Sequence, residues 1–417
     1  MTRVFLLIFL LFAFLIGACT STNPASQATD TITNSTTNIT EPVDPTNTPT
    51  PGLDTPDPSP EPATETPVPP TATITLTPTV EILPSGPGAY PEGYNPLTGL
   101  PVDDPGLLER RPMAVKVQLY PRGGRPPWGV SQADIVYDYY QNDGLTRLNA
   151  VFYGSEVEQI GPIRSARIFD EQVMRMYKAI FAFGGADWRV YNRIYDADLR
   201  DLMVVEGAYN CPPMCRIDPN AANYLVTNTE DLSQHITDQG IENGRQDLGG
   251  MSFDPQTPAG GAPGEQVEVR WSISAYTRWV YDRQSEQYLR EQDATEASNR
   301  EAEQFENFTD RNSGEQVAAD NLVVIPLNHV DLYPQNKFEV MDIQLPVGES
   351  GTAYAFRDGQ VYKVMWNHPE LDSVLYLTYE DGSEFPFKPG NTWFEIVGMG
   401  SKISQPQDAV WRFEFRY

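Results

Sequence analysis

Arg164 and Arg167 stand three residues apart in the phrase Gly161-Pro162-Ile163-Arg164-Ser165-Ala166-Arg167, between a Gly-Pro turn and a segment with helical spacing. Two guanidiniums beside the N–H groups and positive dipole end of a helix can form a pocket for an anion. The chain has 29 Lys and Arg against 57 Asp and Glu, a formal net charge of −28, so a local concentration of positive charge stands out. Arg147, on a neighbouring strand segment, together with Arg216 and Asp134 at a strand start, is expected to converge on the same place. The alternative is structural, with Arg164 and Arg167 pairing with Asp134, Asp138 or Asp170 to pin a strand–helix junction. Arginines open to solvent favour a ligand, and arginines sealed by carboxylates favour a scaffold.

Other chemistry has less support. His235, His329 and His368 are the only histidines, none spaced as a metal pair, and neither GxSxG nor HExxH occurs. Asp196, Asp198 and Asp201 lack the glycine of a calcium loop and read as a solvated helix face. Gly184-Gly185-Ala186 lacks the GxGxxG fingerprint and reads as a strand-to-helix turn. Trp128, Trp188, Trp279, Trp366 and Trp393 are candidates for sugar stacking, with core packing as the default. No residue is assigned a catalytic role, and no metal or cofactor is expected. Cys211 and Cys215 flank Pro212-Pro213-Met214; outside the cell such a pair reads as a disulfide closing a tiny loop, with free thiols or a metal pair as alternatives.

Location is written at the N-terminus. Residues 4–18 (VFLLIFLLFAFLIGA) are uncharged and run into Cys19 behind Arg3, and Leu15-Ile16-Gly17-Ala18-Cys19 fits a lipobox. The run is shorter than the about twenty residues of a comfortable span. The expectation is a signal peptide over 1–18 and a Cys19 that is lipidated on its thiol and anchors an extracytoplasmic protein. An uncleaved anchor or an ordinary secretory signal is the alternative. Residues 19–90 are rich in Thr-Pro steps, and no Lys or Arg occurs in them. Such a chain buries too little apolar surface to offset its entropy and reads as a disordered stalk. The acidity beyond it argues against nucleic acid and against adsorption to anionic lipid. The membrane is a partner through the lipid anchor alone.

The elements that must position the arginines are legible from periodicity. Residues 113–120, 134–140 and 145–153 alternate as strands, with Asp143-Gly144 as a hairpin turn. Val173, Met176, Tyr177 and Ile180 have helical spacing, giving way near Lys178 to a buried strand over 179–183. Helices follow over 187–195 and from a capping box at Thr227 and Glu230 to about Gln239. The Pro/Gly-rich residues 254–266 read as a linker between domains at 91–253 and 267–417 that interact only partly. Past it the signals are nearly all β: 267–272, 278–282, 322–327, 338–345, 353–356, 361–366, 374–379, 392–397 and 411–416. Acidic residues 291–320 read as a long solvated loop with some helix. The fold class is α+β: an N-terminal α/β layered domain, then a β-rich C-terminal domain, after a disordered Thr/Pro tail.

Several phrases resemble the YerB-like lipoprotein family, a two-part domain of unknown function found in envelope lipoproteins. They are Asn95-Pro96-Leu97-Thr98-Gly99-Leu100, Arg111-Pro112-Met113-Ala114-Val115, Ala133-Asp134-Ile135-Val136-Tyr137, Gly144-Leu145-Thr146-Arg147 and Ile160 to Arg167. Tyr276 to Asp282 and Gly390-Asn391-Thr392-Trp393 extend the match into the second half. Where relatives show a Pro-His-Asn type of turn, this chain has Ala222-Asn223-Tyr224. The resemblance implies an envelope location and a two-part architecture, with no settled activity. On this footing the chain is expected to bind an anionic envelope component, such as a cell-wall glycopolymer, or an envelope protein. The alternative is an enzyme of envelope glycopolymer metabolism. The order of Asp134, a following strand and an arginine-bearing turn is similar, by analogy, to the LytR-CpsA-Psr phosphotransferases, whose Pro-Arg-Asp phrase is missing here.

Overall fold

Alternating segments of the first half form three antiparallel strands, β1 (Met113–Gln118), β2 (Ile135–Asn142) and β3 (Leu145–Phe152), in a computed structural model. The structure describes residues 82–195, 198–207, 210–218 and 224–417; Cys19 and most of the Thr/Pro stretch lie outside the described residues, as do Asp196, Ala222 and Asn223. Asp143 and Gly144 join β2 to β3 with φ of 54° and 74°, the left-handed pair that a two-residue hairpin needs. Then come α1 (Phe169–Met176), β4 (Ile180–Phe183), α2 (Trp188–Tyr195) and β5 (Met203–Val205). β1, β4 and β5 run parallel, and α1 buries Phe169, Val173 and Met176. β6 (Cys215–Arg216) pairs with Leu225–Val226, and a disulfide joins Cys211 to Cys215. In α3 (Thr229–Asp238) the cap is Asn228, whose Oδ1 accepts the Asp231 N–H at 2.6 Å. The expected cap, Thr227, instead donates its hydroxyl to the Pro213 carbonyl at 2.9 Å. Asn is as good a cap as Thr, and the helix starts where the better-placed oxygen is.

The second half is β-rich: β7 (Gln266–Arg270), β8 (Tyr276–Asp282), β9 (Gln287–Asp293), β10 (Asn321–Asp331), β11 (Glu349–Arg357), β12 (Gln360–His368), β13 (Thr392–Gly398), β14 (Lys402–Gln407) and β15 (Val410–Glu414). The larger sheet has the order β12-β11-β10-β13-β2-β3-β1-β4-β5, with Ala262–Pro263 outside β12. All seven residues of β13 are buried, and it lies parallel to β10 on one edge and to β2 on the other. A strand buried along both faces needs partners at both edges, and one comes from each half. The expectation of two halves meeting only partly is therefore corrected, because they share one sheet. Residues 254–266 are also pinned: the Tyr362 hydroxyl donates to Pro258 at 2.7 Å, Arg357 to Gln256 at 3.1 Å, and the Gly264 N–H to Gly359 at 2.9 Å. Residues 82–90, assigned to the stalk, belong to the folded part, since Ser85 and Phe253 exchange backbone hydrogen bonds of 2.9 and 2.7 Å.

A smaller sheet, ordered β9-β8-β7-β15-β14 with Phe305–Asn307 outside β9, covers one face of the larger one. Trp279 meets Trp393 there with ring centroids 5.0 Å apart. Part of the supposed solvated loop over 291–320 lies in this interface. Asp293 is fully buried and accepts from Arg122 at 2.6 Å and Arg125 at 3.1 Å. Asp310, also fully buried, accepts the backbone N–H groups of Gly129 and Ser131 at 2.9 and 2.8 Å. The inward residues of β9 include Arg290 and Gln292, so an alternation in burial carries no alternation in hydropathy. Trp128, Trp279, Trp366 and Trp393 are core residues, whereas Trp188 is 68% exposed.

Candidate functional site

The arginines meet at the carboxyl ends of the parallel strands β1, β4 and β5. The Arg164 N–H donates to the Lys116 carbonyl at 2.9 Å, and the Arg164 carbonyl accepts from Gly184, just past β4, at 3.0 Å. The Ala166 N–H donates to Gly185 at 2.9 Å. These bonds hold the Gly-Pro turn and the Gly-Gly turn side by side. Gly161 has φ of 156°, and a Cβ there would lie 2.8 Å from the Leu225 carbonyl oxygen, so no side chain fits at the start of the phrase. Arg216, on β6, pairs with Glu206, just past β5, at 2.6 Å.

Arg147 reaches across β3 and donates to the Ser165 carbonyl at 2.8 Å. Arg167 approaches the same carbonyl at 3.4 Å, donates to Ala166 at 2.9 Å and to the Asn142 amide oxygen at 2.8 Å, and lies 5.5 Å from the Phe338 ring. Two guanidiniums thus share one carbonyl oxygen. Burial, then the neighbouring charges of Arg167 and Arg164, bring Arg147 down to about 9. Burial also lowers Arg164 and Arg167, with Arg216 adding its repulsion to Arg164. The Nε atoms of Arg147 and Arg167 are buried without a hydrogen-bond partner. Arg167 itself is only 5% exposed and serves the junction between turn and helix; Arg164 is half-buried.

The carboxylates foreseen as partners for these arginines are engaged elsewhere. Asp170 is fully buried: Oδ1 accepts from Lys116 at 3.1 Å, from Asn149 at 2.8 Å and from Tyr139, while Oδ2 accepts the Arg167 backbone N–H at 2.6 Å. Burial brings Lys116 down to about 7 against the pull of Asp170. Asp138 faces the opposite side of the sheet and pairs with Arg290 at 2.6 Å. Among the described residues no ion pair joins Arg147 or Arg167 to a carboxylate. Lys116 was missed as a site residue; its signal was a lone cation inside the apolar phrase Met113-Ala114-Val115-Lys116-Val117.

Asp134 does not join this cluster. It precedes β2, while Arg147 pairs with Tyr139, five residues further along, roughly 16 Å away at strand rise. Its carboxylate accepts from Asn95 at 2.9 Å and from the Tyr153 and Gly154 N–H groups at 2.5 and 3.2 Å, and burial raises it to about 6. It sits in a polar cavity of about 480 Å³ lined by Asn95, Thr98, Gln132, Asp320 and Asn391 among others. Here the Asn95-to-Gly99 phrase meets Gly390-Asn391, with the Gly390 N–H donating to Thr98 at 2.8 Å.

Two family models match this chain. Residues 97–242 match the model described as Protein of unknown function (DUF3048) N-terminal domain, and residues 267–394 match the DUF3048 C-terminal domain. "Putative lipoprotein YerB" of Bacillus subtilis strain 168 is 27% identical over 307 residues, 72% of this chain and 85% of that one. The crystal structure of YerB protein from Bacillus subtilis superposes with a TM-score of 0.58 over 73% of this chain and 96% of that one, at 23% identity, a likeness of fold. Among the described residues no helix is long and apolar enough to cross a membrane.

Proposed function

We propose, on the premise that this chain belongs to the DUF3048 family and is an envelope lipoprotein, that it binds a phosphate-bearing component of the cell envelope at the arginine cluster. Cys19 holds it outside the cytoplasm by its lipid. The observation that carries the reading is the meeting of Arg147 and Arg167 on the Ser165 carbonyl, with Arg147 pulled down to about 9. Like charges this close, with the Asp170 oxygens already taken by Lys116, Tyr139 and Asn149, are relieved by a bound anion. The position supports the same reading, since open sheets with parallel strands bind ligands outside the carboxyl ends of those strands.

Calorimetric titration with inorganic phosphate tests it. Arg147→Gln should lose phosphate binding at least tenfold while the unliganded variant melts no lower than the parent, because a repelled charge has been removed. A parent chain that binds no phosphate, together with a variant destabilised by several kcal/mol, would mean that Arg147 is a structural residue.

A further inference from the structure

We propose that the polar cavity at Asp134 is a binding site for an uncharged sugar unit, separate from the arginine cluster. Its walls come from segments that precede three parallel strands: residues 131–134 before β2, Asp320 before β10, and Gly390-Asn391 before β13. The arginines lie at the other end of the sheet, since β1 and β2 both run antiparallel to β3 and so point the same way. The wall is fixed in place. Asp320 Oδ2 accepts the Asn391 N–H at 3.1 Å, and Asn391 Oδ1 accepts the Asp320 N–H at 2.9 Å. Gly390 has φ of 142°, and a Cβ there would collide with Asp320 Oδ2, so glycine lets that carboxylate close on the wall.

The groups that the walls leave unspent identify the ligand. The two inner carboxylates are already answered. Asp134 takes the three N–H donors named above, and Asp320 takes the Gln287 amide at 3.2 Å and the Asn391 N–H, with the Lys388 ammonium 3.9 Å away. The third, Asp103, is exposed. What remains is neutral. The exposed Gln132 side chain makes no hydrogen bond with a described residue. Gln287 and Gln316 donate their amide N–H groups to Asp320 and to the Arg290 carbonyl, and keep Oε1 free. The hydroxyl of Thr98, a residue only 7% exposed, accepts the Leu100 N–H at 3.3 Å and donates to no described group. A sugar hydroxyl both donates and accepts, and so meets such amides and hydroxyls. Among the described residues no Lys, Arg or His lines the cavity, which leaves a phosphate or carboxylate without a counter-charge. Its volume of about 480 Å³ is within the roughly 300–1,000 Å³ of small-molecule sites, but their walls are mostly apolar. A lining this polar matches a ligand that is polar on most sides, because an apolar one would strand the amides. Leu100, Pro101 and Val102 add one apolar strip, which suits the C–H face of a sugar ring.

Saturation-transfer NMR on the full chain, in a detergent without a sugar headgroup, tests this with glucose, galactose, N-acetylglucosamine and the β-1,4 tetramer of N-acetylglucosamine. The parent should bind at least one of them; a tetramer held more tightly than its monomer assigns the site to a glycan chain, and equal affinity to a free sugar. Gln132→Leu, at an exposed side chain that holds nothing in the fold, should weaken that binding about fivefold or more. Thr98→Val, which removes the unspent hydroxyl at nearly constant volume, should weaken it too, and Asp103→Asn should change it less than about twofold. Inorganic phosphate should not displace the sugar. A parent that binds none of the four sugars overturns the proposal, as does binding that Gln132→Leu and Thr98→Val both leave intact. Displacement by phosphate would place the sugar at the arginines instead. Displacement by calcium or spermidine that Asp103→Asn abolishes would make the cavity a cation site; either result overturns the proposal.

Discussion

Replacing Glu395 by Gln interrogates the fully buried charges between the two sheets. Glu395 on β13 lies directly across from Asp138 on β2, and both side chains are completely buried. Arg290 serves both, at 2.6 Å from Asp138 and 3.5 Å from Glu395, with the Trp393 ring 4.7 Å from its guanidinium. One cation cannot offset two buried carboxylates, so burial and then Asp138 push Glu395 up to about 8, and it keeps its proton at neutral pH. Asp138 Oδ1 and Glu395 Oε2, two buried oxygens without donors, fit a site that holds a proton. The unfolded chain releases that proton near the ordinary 4.5, so between 4.5 and 8 the folded state binds one more proton and stability falls as pH rises. Between pH 5 and pH 7 this amounts to roughly 2–3 kcal/mol. Gln cannot release a proton, and its Oε1 can keep the 2.8 Å bond from Trp279 Nε1. Urea unfolding at both pH values should therefore show the variant close to the parent at pH 5 and gaining about 2–3 kcal/mol on it by pH 7. Were Glu395 an ionised partner of Arg290, the substitution would instead cost about 3–5 kcal/mol at pH 7 and leave the pH slope unchanged. That result would refute the reasoning.

Lys116→Met should destabilise by about 3 kcal/mol at neutral pH, because Asp170 keeps its bonds from Tyr139, Asn149 and the Arg167 N–H but loses its buried cation. Burial lowers Lys116 in the fold to about 7 from 10.5, so the unfolded state binds more protons between those values; the parent gains stability from pH 7 to 10, and the variant should lack that gain in melts across the range. Limited proteolysis should spare 254–266, and a first cut there would show that the bonds from Tyr362 and Arg357 do not hold it. Cys19→Ala should move the protein from the membrane fraction to the medium or the soluble fraction. An unchanged membrane fraction would point to an uncleaved apolar anchor.

Much of the scaffold was legible because short-range rules govern it. The hairpin at Asp143-Gly144 needs only two residues that tolerate positive φ, and the period of Val173, Met176 and Tyr177 announces α1 regardless of what it packs on. Strand β9 was not legible, because its inward residues Arg290 and Gln292 are as polar as any surface residue. Arg290 is matched by Asp138 and Glu395, and Gln292 by Tyr120 among others, all far away in the chain, and that match exists only after the sheets close. The reading of residues 254–266 as a loose connection between halves that interact only partly failed for a related reason. Composition says that a segment forms no helix or strand, and says nothing of whether distant side chains will tie it down.

The candidate site divides along the same line. The sequence by itself determined that arginines cluster in Gly161-Pro162-Ile163-Arg164-Ser165-Ala166-Arg167, that a strand–turn–helix surrounds them, that Cys211 and Cys215 are close enough to join, and that the chain's acidity argues against nucleic acid. Each follows from residue identity and local spacing. The tertiary structure alone decided that Asp134 lies at the far end of β2, that Asp170 is claimed by Lys116, and that Arg147 and Arg167 meet on one carbonyl oxygen. It alone left Trp188 exposed to water. The partners of a charge are set by strand register and by which groups become desolvated together, and both arise from pairings between segments that no local pattern encodes.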